Sequence, residues 1–543
     1  MKLGLKWLTV KTNRSFSSHH IAVLTALWLT VAYNWVLNQQ ILQWANHVFE
    51  PLQIGLNLLL FLINLILISL FTYKRSFMAA SSLLFIVSAG SLYFMHSYGI
   101  VISKEMITNV AETDVSEVSE IVNSSMMFYI LVLGVLPVWL LHKISISWQP
   151  GWKQLKANTI RIACSIAAIT VILISHYSAY ASMFRQHREI KYLATPLNVI
   201  SASLGYVNKH AYAMEMSDYQ DITSDAEITR TNHIPRLLVM VVGETARADH
   251  FGLNGYAKNT TPYLSQKMQN KELISFTQAT SCGTATAVSV PCMFSYLTEE
   301  QYQPKEAKSH SNVLDVLQTA GYQVLWVDNN SGCKSMCDRA PTIEVEYDAT
   351  KADCQSGKYC YDTILNRILA DKIESVAQDT VIVLHMVGSH GPEYFKRSPE
   401  NLKNFKPECL ESRLDHCTSD SINNAYDNSI LVTDKVLNDV IELLKKQPQL
   451  SSSMLYVSDH GESLGENGIY LHGLPTWLAP ETQRHVPWLM WQSDEQLDWQ
   501  CMQSRANDAI SHDNLFHTLL GMAGVSSHLY QSDLDLTQSC RQN

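Results

Sequence analysis

SSSMLYVSDHGESLGENGIYLHG, residues 451–473, carries the strongest sign of the fold class of this chain. The apolar run from Met454 to Val457 climbs to an abrupt polar ending. Asp459 and His460 follow, then Gly461 and Glu462, with His472 further along. An apolar run bounded by glycine reads as a buried strand. In parallel sheets, sites gather at the carboxyl ends of strands. Asp beside His at such an end offers one hard oxygen and one imidazole, a pair that suits zinc. The same residues would also serve as a turn with a capping Asp and a solvated His.

Three further stretches repeat the pattern. RLLVMVVGE (236–244) ends at Glu244, YQVLWVDNN (322–330) at Asp328, Asn329 and Asn330, and TVIVLHMVGSHG (380–391) at His390. Helix-like segments lie between them, at 311–320 and 424–447. The second carries Ile430, Leu431, Val436, Leu437, Val440 and Leu443 at helical spacing. Strands alternating with helices imply an α/β domain with a largely parallel sheet, and four strands ending in polar clusters imply one site at one edge of it. SCGTATAVSVPC (281–292) reads as a loop leading into a helix and offers four hydroxyls, on Ser281, Thr284, Thr286 and Ser289. Helix N-termini favour anions, and a neighbouring zinc lowers an alcohol's pKa, so a nucleophile fits here; an N-cap with small core residues would look the same. Chemistry alone does not choose among the four.

The first third of the 543 residues differs from the rest. It holds five apolar runs, at about 20–38, 52–73, 77–98, 122–142 and 160–181, each near the roughly 20 residues that span a bilayer. Lys2, Lys6, Lys11 and Arg14 precede the first, Lys74 and Arg75 follow the second, and Lys143, Lys153, Lys156 and Arg161 follow the fourth. The alternate connections hold Glu50 and the acidic stretch from Glu105 to Glu120, with Lys104 against it. This bias puts the N-terminus inside and everything after residue 182 outside. The reading divides the chain into a transmembrane domain (1–182), an amphipathic connector and linker (183–235) and an outer catalytic domain (236–543). The net charge of −10 and the lack of a basic stripe argue against nucleic-acid binding.

Of eleven cysteines, Cys164 lies alone in an apolar run. The others fall into local pairs after the last run: Cys282 with Cys292, Cys333 with Cys337, Cys354 with Cys360, Cys409 with Cys417, and Cys501 with Cys540. Close, even spacing suggests disulfides and an oxidising compartment, although spacing does not determine connectivity. In the loop between the third and fourth runs, Asn109, Thr113 and Glu117 recur every four residues and would line one helix face, either a solvated one or a polar ledge facing the outer domain.

VVGETARAD, SCGTATAVSVPCMFS, DNNSGCKSMCD, GSHGP and SDHGESLGENGIYLHG, with the five spans and the cysteine pairs, resemble the phosphoethanolamine–lipid A transferases of the mobile colistin resistance type. These are membrane members of the alkaline phosphatase and sulfatase superfamily. The resemblance runs nearly the whole length, without departure at the core motif positions. It implies a five-helix transmembrane domain followed by an α/β domain with a mostly parallel sheet sandwiched by helices. It implies Glu244, Thr286, Asp459 and His460 as zinc ligands, and Thr286 as the nucleophile. Lys334, His390 and His472 become catalytic, phosphate- and substrate-contacting residues, where a second, weaker zinc site has room. Ser331, Asn109, Thr113 and Glu117 become donor-binding residues. The implied reaction moves phosphoethanolamine from phosphatidylethanolamine to a lipid A phosphate through a covalent threonine intermediate, which lessens attraction for polymyxins. The implied setting is a monomer in the bacterial inner membrane, among membrane lipids, with a cytoplasmic N-terminus and a periplasmic catalytic domain. The other readings are a transferase of the same fold acting on lipopolysaccharide core or a periplasmic glucan, and a membrane sensor without activity. A plain sulfatase is disfavoured because no Cys-x-Pro-x-Arg nucleophile motif occurs, and a sensor needs no nucleophile beside metal ligands.

Overall fold

A computed structural model describes residues 15–44, 51–112, 121–175, 177–214, 219–230, 234–348, 350–354, 360–493 and 497–542. The chain splits into two compact units. One comprises Met1–His96, Val101–Ser103 and Val122–Leu204, the other Ser97–Ile100, Lys104–Ile121 and Gly205–Asn543.

Among the described residues of the first unit, four helices are long and apolar enough to cross a membrane: Gln53–Phe71, Phe77–Tyr98, Ser124–Lys143 and Gly151–Ser175. The first apolar run is broken rather than continuous. Ser18–Ala32 and Trp35–Trp44 meet at 54° and make a fifth span if taken together. Asn34 lies at the break, and its Nδ2 donates to Leu29 O at 3.0 Å, so a side chain replaces the next helical hydrogen bond. The last span begins at Gly151, ahead of its apolar run, because its polar first turns are packed inside. Ser18 Oγ donates to Gln154 Oε1 (2.8 Å), Asn158 Nδ2 to Thr72 O (3.0 Å) and Arg161 Nε to Ser69 Oγ (3.0 Å). The connector is helical over Tyr177–Gln186, Ile190–Leu193 and Leu197–Met214.

The second unit is built on an eight-stranded sheet. Its strands are β1 (Arg236–Gly243), β2 (Leu273–Thr280), β3 (Gln323–Asp328), β4 (Thr342–Glu344), β5 (Thr380–His385), β6 (Ser451–Ser458), β7 (His485–Gln492) and β8 (Ala509–Ser511). The order across the sheet is β8-β2-β7-β6-β1-β5-β3-β4, and β7 alone runs antiparallel to its neighbours. Side chains alternate along β1. Leu238, Met240 and Val242 enter one core, Leu237, Val239 and Val241 the other, so both faces are apolar and both are covered by helices. Each such buried side chain contributes about 1.5–3 kcal/mol. The polar stretch after the connector is stitched to this unit, since Glu227–Ile228 pairs antiparallel with Val525–Ser526.

Register decides where the site forms. Gly243 pairs with Ser458, Val242 with both Val457 and His385, and Asp328 with His385. The carboxyl ends of β6, β1, β5 and β3 therefore fall side by side, and the first residues beyond them meet. All five cysteine pairs form as their spacing suggested, and Cys164 is free.

Candidate active site and metal centre

Glu244 leaves β1 and Asp459 and His460 leave β6, all three fully buried. Each offers one ligand atom, and these lie within 4.8 Å of one another. Thr286 is the first residue of helix α1 (Thr286–Phe294), where the positive end of the helix dipole lies. Its Oγ1 donates toward Glu244 Oε2 at 3.0 Å and Oε1 at 3.2 Å, and lies 3.3 Å from His460 Nε2. Structure thus chooses among the four hydroxyls. Ser281 Oγ donates to Gly283 O and Thr284 Oγ1 to Leu474 O, both at 2.6 Å. Ser289 Oγ is buried against the chain at Gly283.

The donor set fits zinc. His460 Nδ1 donates to Gly461 O at 2.8 Å, which leaves Nε2 bare toward the carboxylates. Asp459 Oδ1 accepts from Thr245 N (3.2 Å) and His460 N (2.7 Å), whereas Oδ2 accepts no hydrogen bond. A buried carboxylate oxygen without a donor is costly unless a cation completes it. The protonation equilibria show the same shortage of positive charge. Burial and then the Glu244 charge push Asp459 up to about 7. Burial would lower His460, but Asp459 and Glu244 outweigh it and raise it to about 10. Burial likewise works against an ionised Glu244, yet His460 holds its carboxyl well below the usual range.

The surroundings hold these groups in place. Thr245, with φ of 53°, sits in the left-handed region, a strain of about 1–3 kcal/mol. Its carbonyl accepts from Tyr426 Oη at 2.7 Å, and that oxygen accepts from Arg247 N at 2.9 Å. Gly388, with φ of 53°, lies so close that a Cβ there would come within 2.5 Å of Glu244 O. Asp362 fastens the same loop by accepting from Val387 N (2.9 Å) and Gly388 N (2.8 Å).

His472 packs against His460 with ring centroids 4.3 Å apart, and His390 lies 5.6 Å from His472. The three imidazoles thus cluster beside the carboxylates. His472 Nδ1 stands 3.4 Å from Glu462 Oε2, and burial pushes the Glu462 carboxyl up to about 8. Lys334 Nζ donates to Ser331 O and Ser331 Oγ, each at 2.9 Å, on the loop after β3. Asn109 belongs to the helix Lys104–Glu112 in this unit, and a Cβ on Gly473 would lie 3.8 Å from its Nδ2. Thr113 and Glu117 lie outside the described residues.

Two residues beside the cluster carry no role that the sequence assigns. Asn330 Nδ2 donates to Glu244 Oε2 at 2.9 Å and to Met386 O at 2.7 Å. Its signal was its place in DNNSGCK, one residue beyond a strand end. Glu462, inside SDHGES, carried a signal only in its nearness to two assigned ligands.

Known proteins resemble this chain in sequence and in fold. The profile of the sulfatases matches residues 236–525, and the profile described as phosphoethanolamine transferase EptA/EptB matches residues 60–211. Phosphoethanolamine transferase EptA of Escherichia coli strain K12 is 37% identical over 96% of both chains. Phosphatidylethanolamine transferase Mcr-1 of Escherichia coli is 36% identical over 95% of this chain and 96% of its own. The solved integral membrane protein lipooligosaccharide phosphoethanolamine transferase A from Neisseria meningitidis superposes with a TM-score of 0.91 at 31% identity, covering 98% of this chain and all of that one.

Proposed function

This chain belongs to the phosphoethanolamine transferase family within the alkaline phosphatase and sulfatase superfamily, and we propose that it moves phosphoethanolamine from phosphatidylethanolamine to a lipid A phosphate. The carrying observation is Thr286 Oγ1, 3.0 Å from Glu244 in a buried carboxylate–histidine cluster whose ligand atoms lie within 4.8 Å of one another. Glu244, Asp459, His460 and Thr286 would hold zinc, which when bound supplies the positive charge that lowers an alcohol's pKa and offsets charge on phosphoryl oxygens.

Thr286 Oγ1, which gives its proton to water and regains one on its release, bonds to phosphorus, the bond from phosphorus to the glycerol oxygen breaks, and diacylglycerol leaves. His390 or His472 gives that oxygen its proton. The phosphoethanolamine on Thr286 is then attacked by the lipid A phosphate, and Thr286 is released, a ping-pong scheme. Lys334 and Ser331 hold phosphate oxygens, where the fixed positive charge acts on the equatorial positions. His390 and His472, with Lys334, are also where a second, weaker metal would bind. Asn109, Thr113 and Glu117 serve the lipid donor.

Both substrates are lipids, which accounts for the apolar helices. We place the chain in the bacterial inner membrane as a monomer, and the lysine and arginine bias supports a cytoplasmic N-terminus with the catalytic part (236–543) in the periplasm. An ammonium added to lipid A weakens attraction for cationic peptides, so expression protects cells from polymyxin and colistin.

Mass spectrometry of lipid A from cells expressing the chain tests this. The expected result is a gain of one phosphoethanolamine, lost in Thr286→Ala. An unchanged lipid A beside a modified core or glucan would move the acceptor, and transfer by a folded Thr286→Ala variant would end the threonine mechanism. Turnover in that variant should fall at least ~10³-fold, as when other enzymes lose their nucleophile.

A further inference from the structure

The nucleophile and the metal ligands come from strands that do not touch. Thr286 follows β2 and Asp459 follows β6, and antiparallel β7 lies between them. Something must set the distance across that gap, because Thr286 Oγ1 has to arrive 3.0 Å from Glu244. His512 stands there. It follows β8 at the sheet edge, its N–H donates to Thr280 O at 3.1 Å, and its ring is buried. Nδ1 accepts from Cys282 N at 3.3 Å, in the disulfide-closed segment that carries Thr286. Nε2 donates to Ser458 O at 3.0 Å, on the residue just before Asp459. Ser458 is itself a junction, since its Oγ accepts from Ala246 N (2.9 Å) and donates to His460 O (3.0 Å).

These partners fix the ring's chemistry. An amide N–H can only donate and a carbonyl can only accept, so Nδ1 is bare and Nε2 carries the hydrogen. An imidazolium would aim a second N–H at the Cys282 N–H. Burial, opposed by the hydrogen bond to Ser458 O and helped by the charge of Arg484, lowers the ring to about 3, so it is neutral at neutral pH.

We propose that His512 is a positioning residue for phosphoethanolamine transfer: an uncharged imidazole that ties the nucleophile segment to the end of β6 and so sets Thr286 against the metal-ligand cluster. The proposal rests on the reaction assigned above. A small error in such spacing is amplified, because misplacing a reacting atom by about 1 Å costs about 10²-fold in rate.

The test is steady-state transfer by the zinc-loaded full chain with phosphatidylethanolamine, comparing His512→Phe, His512→Gln and Thr286→Ala. In folded His512→Phe, kcat should fall about 10- to 100-fold while KM for the donor and the bound zinc stay near wild type. His512→Gln, whose amide can donate to Ser458 O, should recover most of that loss and keep the wild-type pH profile. Wild-type kcat in folded His512→Phe, or no recovery in His512→Gln, would overturn the proposal. A pH limb lost in His512→Gln would do the same by assigning the ring a proton-transfer role. Should His512→Phe not fold, His512→Asn replaces it, because the shorter amide cannot bridge both partners. An inactive Thr286→Ala beside an unimpaired His512→Phe would reject only this tie, whereas an active Thr286→Ala would reject the threonine reaction itself.

Discussion

Asn330 shows how one amide can orient a candidate metal ligand. Ser331 N donates to its Oδ1 at 2.6 Å, which turns Nδ2 toward Glu244 and Met386 O. Glu244 Oε2 is thereby oriented before any cation arrives. Outer contacts of this kind typically contribute 10- to 100-fold in metal affinity. Asn330→Ala should therefore bind zinc about 10- to 100-fold more weakly, read by competition with a chromophoric chelator. Unchanged zinc affinity would mean that strand geometry alone orients Glu244. The neighbouring Asp328 accepts from Trp326 Nε1 at 2.8 Å and pairs with His385 Nδ1 at 2.9 Å, so the polar chain behind Asn330 continues into the sheet.

At the scale of an element, helix α2 (Asp513–Ala523) couples stability to pH. His512 lies at its N-terminal boundary and His517 on its buried face, where His517 Nδ1 accepts from Gln531 N at 3.1 Å. Burial lowers His517 to about 4 and His512 to about 3, against an ordinary value of 6.5. Below pH 6.5 the unfolded chain takes up protons that the folded chain refuses. Stability should therefore be undiminished above 6.5 and decline as pH falls toward 4, by up to about 3 kcal/mol for His517. The unfolding midpoint measured between pH 7.5 and 4.5 should drop, and His517→Gln should flatten the slope. A slope indifferent to that substitution would place the protons elsewhere.

At the scale of the molecule, two units of different solvent preference share one chain. One is a set of apolar helices, the other a sheet covered on both faces. The second unit also takes in Lys104–Glu112, drawn from between two apolar helices, and places Asn109 beside Gly473 and hence His472. A chain beginning at residue 219 keeps every zinc-ligand candidate and should bind zinc as the full chain does. It should transfer phosphoethanolamine from vesicle-borne donor at least ~10²-fold more slowly, since tethering to the lipid surface is a gain in effective concentration. Equal rates in the two proteins would show that neither the apolar helices nor Asn109 contributes to turnover.

What could be read directly was whatever depends on neighbours along the chain. Apolar runs of bilayer length, strands ending in polar clusters, and the local cysteine pairs all carry their signal within a few residues, and Glu244, Asp459 and His460 stand out because each follows a strand. The resemblance then singled out Thr286. The break at Asn34 depends on where one amide side chain turns, and the antiparallel course of β7 on its pairing with β2 and β6. The contacts of Asn330, Glu462 and His512 could not be read, because their partners lie ten to hundreds of residues away. Neighbours along the chain already settle which groups are candidates for metal binding and transfer, because strand ends and helix starts are local. The tertiary structure alone decided which hydroxyl faces the carboxylates and what holds it there, because that depends on sheet order and register, and those arise only when distant strands pair.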